Sequence, residues 1–264
     1  MKAGKKTLKH QVTREIIEEQ PRSKRVLSAK VEKSRARNKS YVMDLLIHSP
    51  AALGYIGIDG IDTAPALIRL AKVKGIDVLG ITDYYEANFI DRLRIAAEGS
   101  AVTIIPGVNM RCSLGSCNDI RLSCFFPENF GSKEITEFLS ELRIPTVAHG
   151  NHRYVVNNSL SEILHVTENM QGFVLPTRID RTPARQSIIA ELVEEYGFRT
   201  FEVAYLEESL QMFKQRWPKL KFNLFSFSNA SALAQVGSRI AKVKMPNAGF
   251  CSIRELAERQ DQNG

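Results

Sequence analysis

The sequence predicts an α/β protein in which strands and helices alternate along most of the chain. From residue 41 onward, short apolar runs alternate with amphipathic stretches. Strand, helix and strand repeated in this order give parallel strands with crossover helices, and therefore an α/β sheet or barrel. The composition agrees, because 264 residues with 44% hydrophobic and 25% charged side chains can bury one large core.

Seven apolar runs are the predicted strands. They cover residues 42–47, 78–82, 102–105, 122–126, 173–175, 200–204 and 223–227. The carboxyl ends of the strands in such a fold lie together, so polar residues at those ends are where a site is expected.

Helix signals lie between most of these runs. Residues 65–74 carry Leu67, Leu70 and Ala71 at helical spacing and end at Gly75, which tolerates the left-handed conformation that follows a helix. The pattern predicts an amphipathic helix that packs one face on the sheet.

Two further helices are indicated by their capping residues. Ser159 and Glu162 have the spacing of a capping box. Thr182 and Pro183 supply an N-cap and a proline at the first helical position, and Gly197 closes that helix.

The first 40 residues are strongly basic. They carry 13 Lys or Arg and 4 Glu residues, whereas the remainder of the chain has a net charge of −2. Such a segment has too little apolar surface to fold alone, so we expect a disordered basic N-terminal extension that contacts nucleic acid or an acidic protein surface. The alternative is a solvated extension that aids solubility. The expected domain limits are the extension 1–40, a folded region 41–250 and a tail 251–264.

The cysteine and hydropathy patterns favour a cytoplasmic location. No stretch reaches the roughly 20 apolar residues that span a bilayer, so no membrane insertion is expected. The N-terminus lacks the apolar segment of a secretory signal. The cysteines lack close C-x-x-C spacing and are expected to be free thiols; they are Cys112, Cys117, Cys124 and Cys251.

Polar residues recur at the predicted strand ends in six blocks. They are DLLIHS at 44–49, GITDY at 80–84, PGVN at 106–109, IRLSCFF at 120–126, LPTRIDR at 175–181 and SNASALAQVG at 228–237. In order and spacing they resemble the PHP (polymerase and histidinol phosphatase) superfamily, and QGFVLPTRIDR is similar to a block of its bacterial stand-alone metal-dependent phosphoesterases. The resemblance covers residues 41–240. It implies a distorted (β/α)7 barrel of the PHP type, whose active members hold two or three divalent metals, such as Mn, Fe or Zn, at the strand ends.

The resemblance also assigns metal-ligand positions, and nearly all of them are substituted here. His48 keeps a family ligand, and Asp44, Ser49 and Asp83 match the residues around the ligands. The substituted positions are Leu46, Tyr84, Asn109, Arg121, Arg178, Asn229 and Ser231.

The substituting residues are poor metal ligands. Leucine cannot ligate a metal, asparagine is neutral, and arginine stays protonated and repels a cation. One further ligand, in the loop after the first strand, does not align, and Asp59 and Asp62 are the carboxylates nearby. We therefore expect no metal cofactor.

A competing assignment places the histidine block at VAHGNHRY, residues 147–154. His149 and His152 are three positions apart there, a spacing that brings two imidazoles together on a helix. LPTRIDR is preferred because the strand FEVAY follows it at the family's interval. We therefore expect His149 and His152 in a surface loop without a metal role.

The expected function is that of a degenerate PHP-domain protein, a pseudoenzyme that acts as a binding or assembly module. Arg121 and Arg178 replace histidines that face one pocket in the family, and guanidinium groups suit phosphate oxygens, so the pair predicts an anion site. The alternative for these arginines is a salt bridge to a local carboxylate such as Asp119 or Asp180.

Three other functions stay open from the sequence. The first is residual metal-dependent phosphoesterase activity on a phosphorylated small molecule or nucleotide, with His48 and Asp83 as the remnant catalytic residues. The second is a metal-free anion sensor, and the third is a structural subunit of a larger complex.

Overall fold

The computed structural model describes residues 38–258, in which strands and helices alternate as the sequence predicts. The strands are β1 Lys39–Ile47, β2 Val78–Tyr84, β3 Thr103–Leu114, β4 Cys117–Phe125, β5 Phe173–Thr177, β6 Thr200–Glu202, β7 Asn223–Phe225 and β8 Ala241–Met245. Each of the seven predicted strands is present, and β8 is an addition that the sequence pattern did not indicate.

Three of the helices begin or end at predicted capping residues, whereas the helix predicted to close at Gly197 ends at Glu194. The helices are α1 Thr63–Lys74, α2 Ile90–Ala97, α3 Ser132–Glu141, α4 Leu160–Asn169, α5 Pro183–Ser187, α6 Ile189–Glu194, α7 Leu206–Arg216 and α8 Phe250–Ala257. Gly75 ends α1 with φ of 65°, and Ser159 and Glu162 form the predicted capping box of α4. The helix that begins after Thr182 is divided into α5 and α6.

The sheet differs from the predicted barrel. Six strands form one curled half-barrel sheet in the order β5-β4-β3-β2-β1-β8, and β6 and β7 form a separate parallel pair. β1, β2 and β3 are parallel, whereas β4 is antiparallel to β3 and β5, and β8 is antiparallel to β1. A complete (β/α)7 barrel is therefore not present among the described residues.

A tight hairpin between β3 and β4 explains why β4 is antiparallel to β3. Only Gly115 and Ser116 separate β3 from β4, and Gly115 has φ of 51°. A two-residue connection can join antiparallel strands only, because parallel strands need a long crossover. The apolar runs 102–105 and 122–126 are thus the far ends of one long hairpin.

The end of β1 is held on both sides. β2 pairs with β1 in parallel, with an irregular register between Asp44 and Ile47. On the other edge, the His48 N–H donates to the carbonyl of Ala230 at 2.8 Å, and the Ala230 N–H donates to the carbonyl of Leu46 at 3.1 Å. These contacts bring the segment around Ala230 beside the end of β1.

The folded region continues beyond the expected limit at residue 250. Helix α8 buries Phe250, Ile253 and Ala257 against the core, because these residues have the spacing of one helical face. Most of the expected extension 1–40 lies outside the described residues. No helix in the described part of the chain has the length and hydropathy needed to cross a bilayer.

Candidate functional site

One cavity at the ends of the strands gathers five of the positions that hold metal ligands in the PHP resemblance. Its volume is about 250 Å³. It is lined by His48, Ala52, Leu53, Gly54, Tyr84, Arg121, His152, Asn229 and Ser231. The fold therefore brings together residues that lie up to 183 positions apart in the sequence.

Tyr84, at the end of β2, lies among the basic side chains of the site. Its ring stacks on His48 with 5.6 Å between centroids, and His152 meets it edge-on at 6.2 Å. The guanidinium carbons of Arg121 and Arg111 lie 5.8 and 6.0 Å from its ring centroid. These are cation–π distances, so the ring orients and partly stabilises both arginines.

Arg121 is a half-buried cation without a carboxylate of its own. It lies directly opposite Arg111 in the register of β3 and β4, where like charges destabilise the pair. Asp119 forms ion pairs with Arg111 at 3.1 Å and with Arg185. Within residues 38–258, no carboxylate forms an ion pair with Arg121, and its buried Nε has no hydrogen-bond partner. Burial lowers the pKa of Arg121.

Arg178 occupies a different environment. Its Nε lies 3.6 Å from Oε1 of Glu202, and its backbone N–H donates to Oε2 of Glu202 at 2.9 Å. Glu202 is fully buried, and burial raises its pKa to about 7 against the opposing effect of Arg178. Arg178 is not among the residues that line the cavity.

The carboxylate partner of Arg178 was not among those considered from the sequence. Asp119 pairs with Arg111 and Arg185. Asp180 instead accepts hydrogen bonds from the backbone N–H groups of Ala204 and Tyr205 at the start of α7. Glu202 lies on β6, 24 residues after Arg178, so the pairing depends on the folded structure and was not evident from the sequence.

His48 and Asp83 are neighbours but are not hydrogen-bonded. Nδ1 of His48 lies 3.8 Å from Oδ1 of Asp83 and has no hydrogen-bond partner in the described part of the chain. Asp83 accepts the backbone N–H of Ser49 at 2.7 Å and also the Ser49 hydroxyl. The carboxylate therefore fixes the loop after β1 and leaves a ring nitrogen of His48 unpaired.

Two of the substituted positions have structural roles. The Asn109 amide donates to the carbonyl of Thr82 at 2.7 Å and accepts the Ser123 hydroxyl at 2.5 Å. Leu46 lies in the apolar core with 1% of its surface exposed. Neither side chain has a free group directed to a ligand.

The donors that remain do not fit a divalent metal. The lining holds two imidazoles beside a guanidinium and has no carboxylate or thiolate. Between residues 38 and 258, no three His, Cys, Asp or Glu side chains lie where they could share a metal ion. Zinc and iron accept imidazole, but their sites need at least three ligands, and this lining offers two imidazoles beside a guanidinium that repels a cation.

His152 is the lining residue whose role the sequence did not indicate. It lies, as expected, in a loop, after the short 3-10 helix Thr146–Ala148. The Leu53 N–H donates to the carbonyl of Gly150 at 3.3 Å, which holds this loop at the cavity. Partial burial, followed by the charges of nearby arginines, lowers the pKa of His152. His149 lies elsewhere, with Nδ1 3.7 Å from Glu86.

Comparisons with known proteins identify the fold. No protein-family model and no curated protein matches the chain. The lesion-specific endonuclease Q from Pyrococcus furiosus matches with a TM-score of 0.59 and 16% identity, over 82% of this chain and 55% of that protein. This chain therefore spans about half the length of endonuclease Q.

Two other solved structures share the fold. A two-domain protein from Bacteroides vulgatus, which contains a predicted PHP-like metal-dependent phosphoesterase, matches with a TM-score of 0.53 and 14% identity, over 83% of this chain and 63% of that protein. An amidohydrolase from Chromobacterium violaceum, with bound sulfate and no metal, matches with a TM-score of 0.54 and 12% identity, over 83% and 98%. The chain therefore has the fold of these PHP-like proteins, which is the fold that the PHP resemblance of the sequence implies.

Proposed function

We propose that this chain is a non-catalytic PHP-like module that binds an anion where the active members of the superfamily bind metals. The observation that carries the proposal is Arg121, a half-buried arginine at the cavity whose buried Nε has no hydrogen-bond partner and whose guanidinium forms no ion pair with a carboxylate among residues 38–258. Removing part of a charge from water without a partner is costly, and a bound anion would supply the missing partner.

The chemistry of the cavity supports a phosphate or sulfate group as the anion. Arg121 offers a planar set of N–H donors, and His48, His152 and Ser231 add donors around it. The amidohydrolase that shares the fold contains bound sulfate and no metal, so a protein of this fold can bind such an anion.

The proposal is tested by binding of inorganic phosphate and sulfate, followed by thermal unfolding and calorimetry. We expect the melting temperature of the wild type to rise with the logarithm of the phosphate concentration above its Kd. Arg121→Gln should lose the rise, whereas Arg69→Gln, which removes an exposed arginine of α1, should keep it. A wild-type protein unaffected by millimolar phosphate and sulfate would contradict the proposal.

The contribution of Arg178 is decided by the same experiment. Because its guanidinium pairs with Glu202, we expect Arg178→Gln to lower the melting temperature while retaining the increase on addition of phosphate. Loss of that increase in Arg178→Gln would instead support the paired site of Arg121 and Arg178 that the sequence predicts.

We further propose that residues 1–40 contact nucleic acid or an acidic protein. The proposal is supported by their 13 basic residues and by the fold that the chain shares with an endonuclease. A variant lacking residues 1–40 tests it by comparison with the full chain.

A further inference from the structure

The loop after β1 exposes several large aliphatic side chains beside the cavity. Leu53 is 63% exposed, Ile56 65%, Ile58 56% and Ile61 46%. Single exposed aliphatic residues are ordinary, but a group of them next to a cavity marks a binding surface. We call Leu53, which lines the cavity, and Ile56, whose backbone is bonded to the lining residue Ser231, the aliphatic rim.

Backbone hydrogen bonds attach the aliphatic rim to two segments that contribute residues to the cavity. Leu53 lines the cavity itself, and its N–H donates to Gly150, two residues before His152. The Ile56 N–H donates to the carbonyl of Ser231 at 2.8 Å, and Ser231 lines the cavity. The rim is therefore held by contacts with the same segments that build the cationic site.

We propose that the cavity binds an amphiphilic organic anion, with its phosphate-like head group at Arg121 and its apolar part on the aliphatic rim. This inference rests on the proposed function, because it requires an anion at Arg121. An inorganic ion would pair with Arg121 but would leave Leu53 and Ile56 in water. An apolar group attached to the anion covers them, and each buried methylene tightens binding by roughly fourfold.

The charges of the same loop favour a soluble amphiphile over a lipid in an anionic bilayer. Asp59 and Asp62 are exposed near the aliphatic rim, and Asp62 pairs with Arg92 at 3.2 Å. Surfaces that bind anionic membranes carry clustered lysines and arginines instead. Carboxylates at this position would be repelled by an anionic membrane surface.

Calorimetry with inorganic phosphate and with octyl phosphate, kept below its critical micelle concentration, tests the inference. We expect octyl phosphate to bind the wild type at least tenfold more tightly than phosphate. The double variant Leu53→Ser, Ile56→Ser should reduce that ratio below threefold. Ile95→Ser, which removes a 66% exposed isoleucine from α2, should preserve the tenfold ratio.

The outcomes separate this inference from the proposed function. If phosphate binds and octyl phosphate binds no more tightly, the inference is wrong and the proposed function stands. If neither binds, both are wrong. If octyl phosphate has the same affinity for Arg121→Gln as for the wild type, it adsorbs without using the anion site, and the inference is wrong. If the protein sediments with phosphatidic acid vesicles and binds octyl phosphate no more tightly than phosphate, the ligand is a membrane lipid. That result would contradict a soluble ligand.

Discussion

The guanidinium carbon of Arg121 lies 5.8 Å from the ring centroid of Tyr84, and both residues occupy positions at which the PHP resemblance places histidine ligands. A pair of metal-binding imidazoles is thus replaced by a cation–π contact between an aromatic ring and a permanent positive charge. The same substitutions that remove the ligands of a metal create a cationic environment. The two changes together account for the proposed exchange of a metal site for an anion site.

Replacing Arg121 should stabilise the free protein. Its charge is half-buried, lies opposite Arg111 and has no carboxylate partner in the described residues. We expect Arg121→Met to raise the free energy of unfolding by about 1 kcal/mol and to abolish phosphate binding. Calorimetric melting in phosphate-free buffer measures the first effect.

Arg185 is the matched control for Arg121. It is more deeply buried than Arg121, and it donates to the carboxylate and the backbone carbonyl of Asp119. Arg185→Met should therefore lower the free energy of unfolding by about 2 kcal/mol. Equal destabilisation by both variants would show that Arg121 has a structural partner and would argue against an anion site.

Glu202 should make the stability of the protein fall between about pH 5 and pH 8. Burial raises its folded-state pKa from 4.5 to about 7. A raised carboxyl pKa contributes stability that is fully present below pH 4.5 and is lost as the pH rises through about 7. The raised pKa of buried Asp44 acts in the same direction.

Glu202→Gln isolates this effect, since glutamine does not titrate in that range. We expect the melting temperature of the variant to depend less on pH between 5 and 8 than that of the wild type. Identical pH profiles would mean that Arg178 keeps Glu202 ionised throughout the range.

The sequence predicted the strands well but predicted their pairing only in part. Apolar runs identify β2 and β5 because every residue of these strands is buried, and they identify the buried second half of β1. The antiparallel direction of β4 depends on the hairpin at Gly115 and Ser116, which lies between residues too polar to count as strand. Periodicity alone does not distinguish one long hairpin from two separate strands.

The sequence blocks predicted which residues form the site. The residues that pair with them could not be predicted, because those contacts join distant parts of the chain. Arg121 and Tyr84 were identified from their place in the blocks, and the fold brings them together. Glu202 and His152 could not be assigned roles in the same way. Glu202 meets Arg178 across neighbouring strands, and His152 reaches the cavity through a loop held by Leu53.

The thiols should differ sharply in reactivity. Burial raises the pKa of Cys112 and of Cys124 to about 12, and Cys117 is also buried. Cys251 is exposed. We expect one fast-reacting thiol per native chain with a thiol-specific reagent, and none in Cys251→Ser, because only an accessible thiolate reacts. Two or more fast thiols would mean that the β3–β4 hairpin opens readily.

Nucleic-acid affinity, where present, should reside in residues 1–40 and decrease steeply with salt. Each neutralised duplex phosphate adds about 0.9 to the slope of log affinity against log salt, so four or five engaged side chains would give a slope near −4. Removing residues 1–40 should abolish binding and leave the melting temperature of the folded region nearly unchanged. Unaltered binding by the truncated protein would locate the contact on the folded region instead.

Two measurements on one purified sample give the most direct test of whether a metal site has become an anion site. The first is equilibrium dialysis against radiolabelled phosphate, with and without chelator. The second is the metal content of the same sample. We predict phosphate binding that is unchanged by chelator, lost in Arg121→Gln, and accompanied by far less than one equivalent of Mn, Fe or Zn per chain. Two or three equivalents of metal per chain, with phosphate binding that disappears on chelation, would contradict the account.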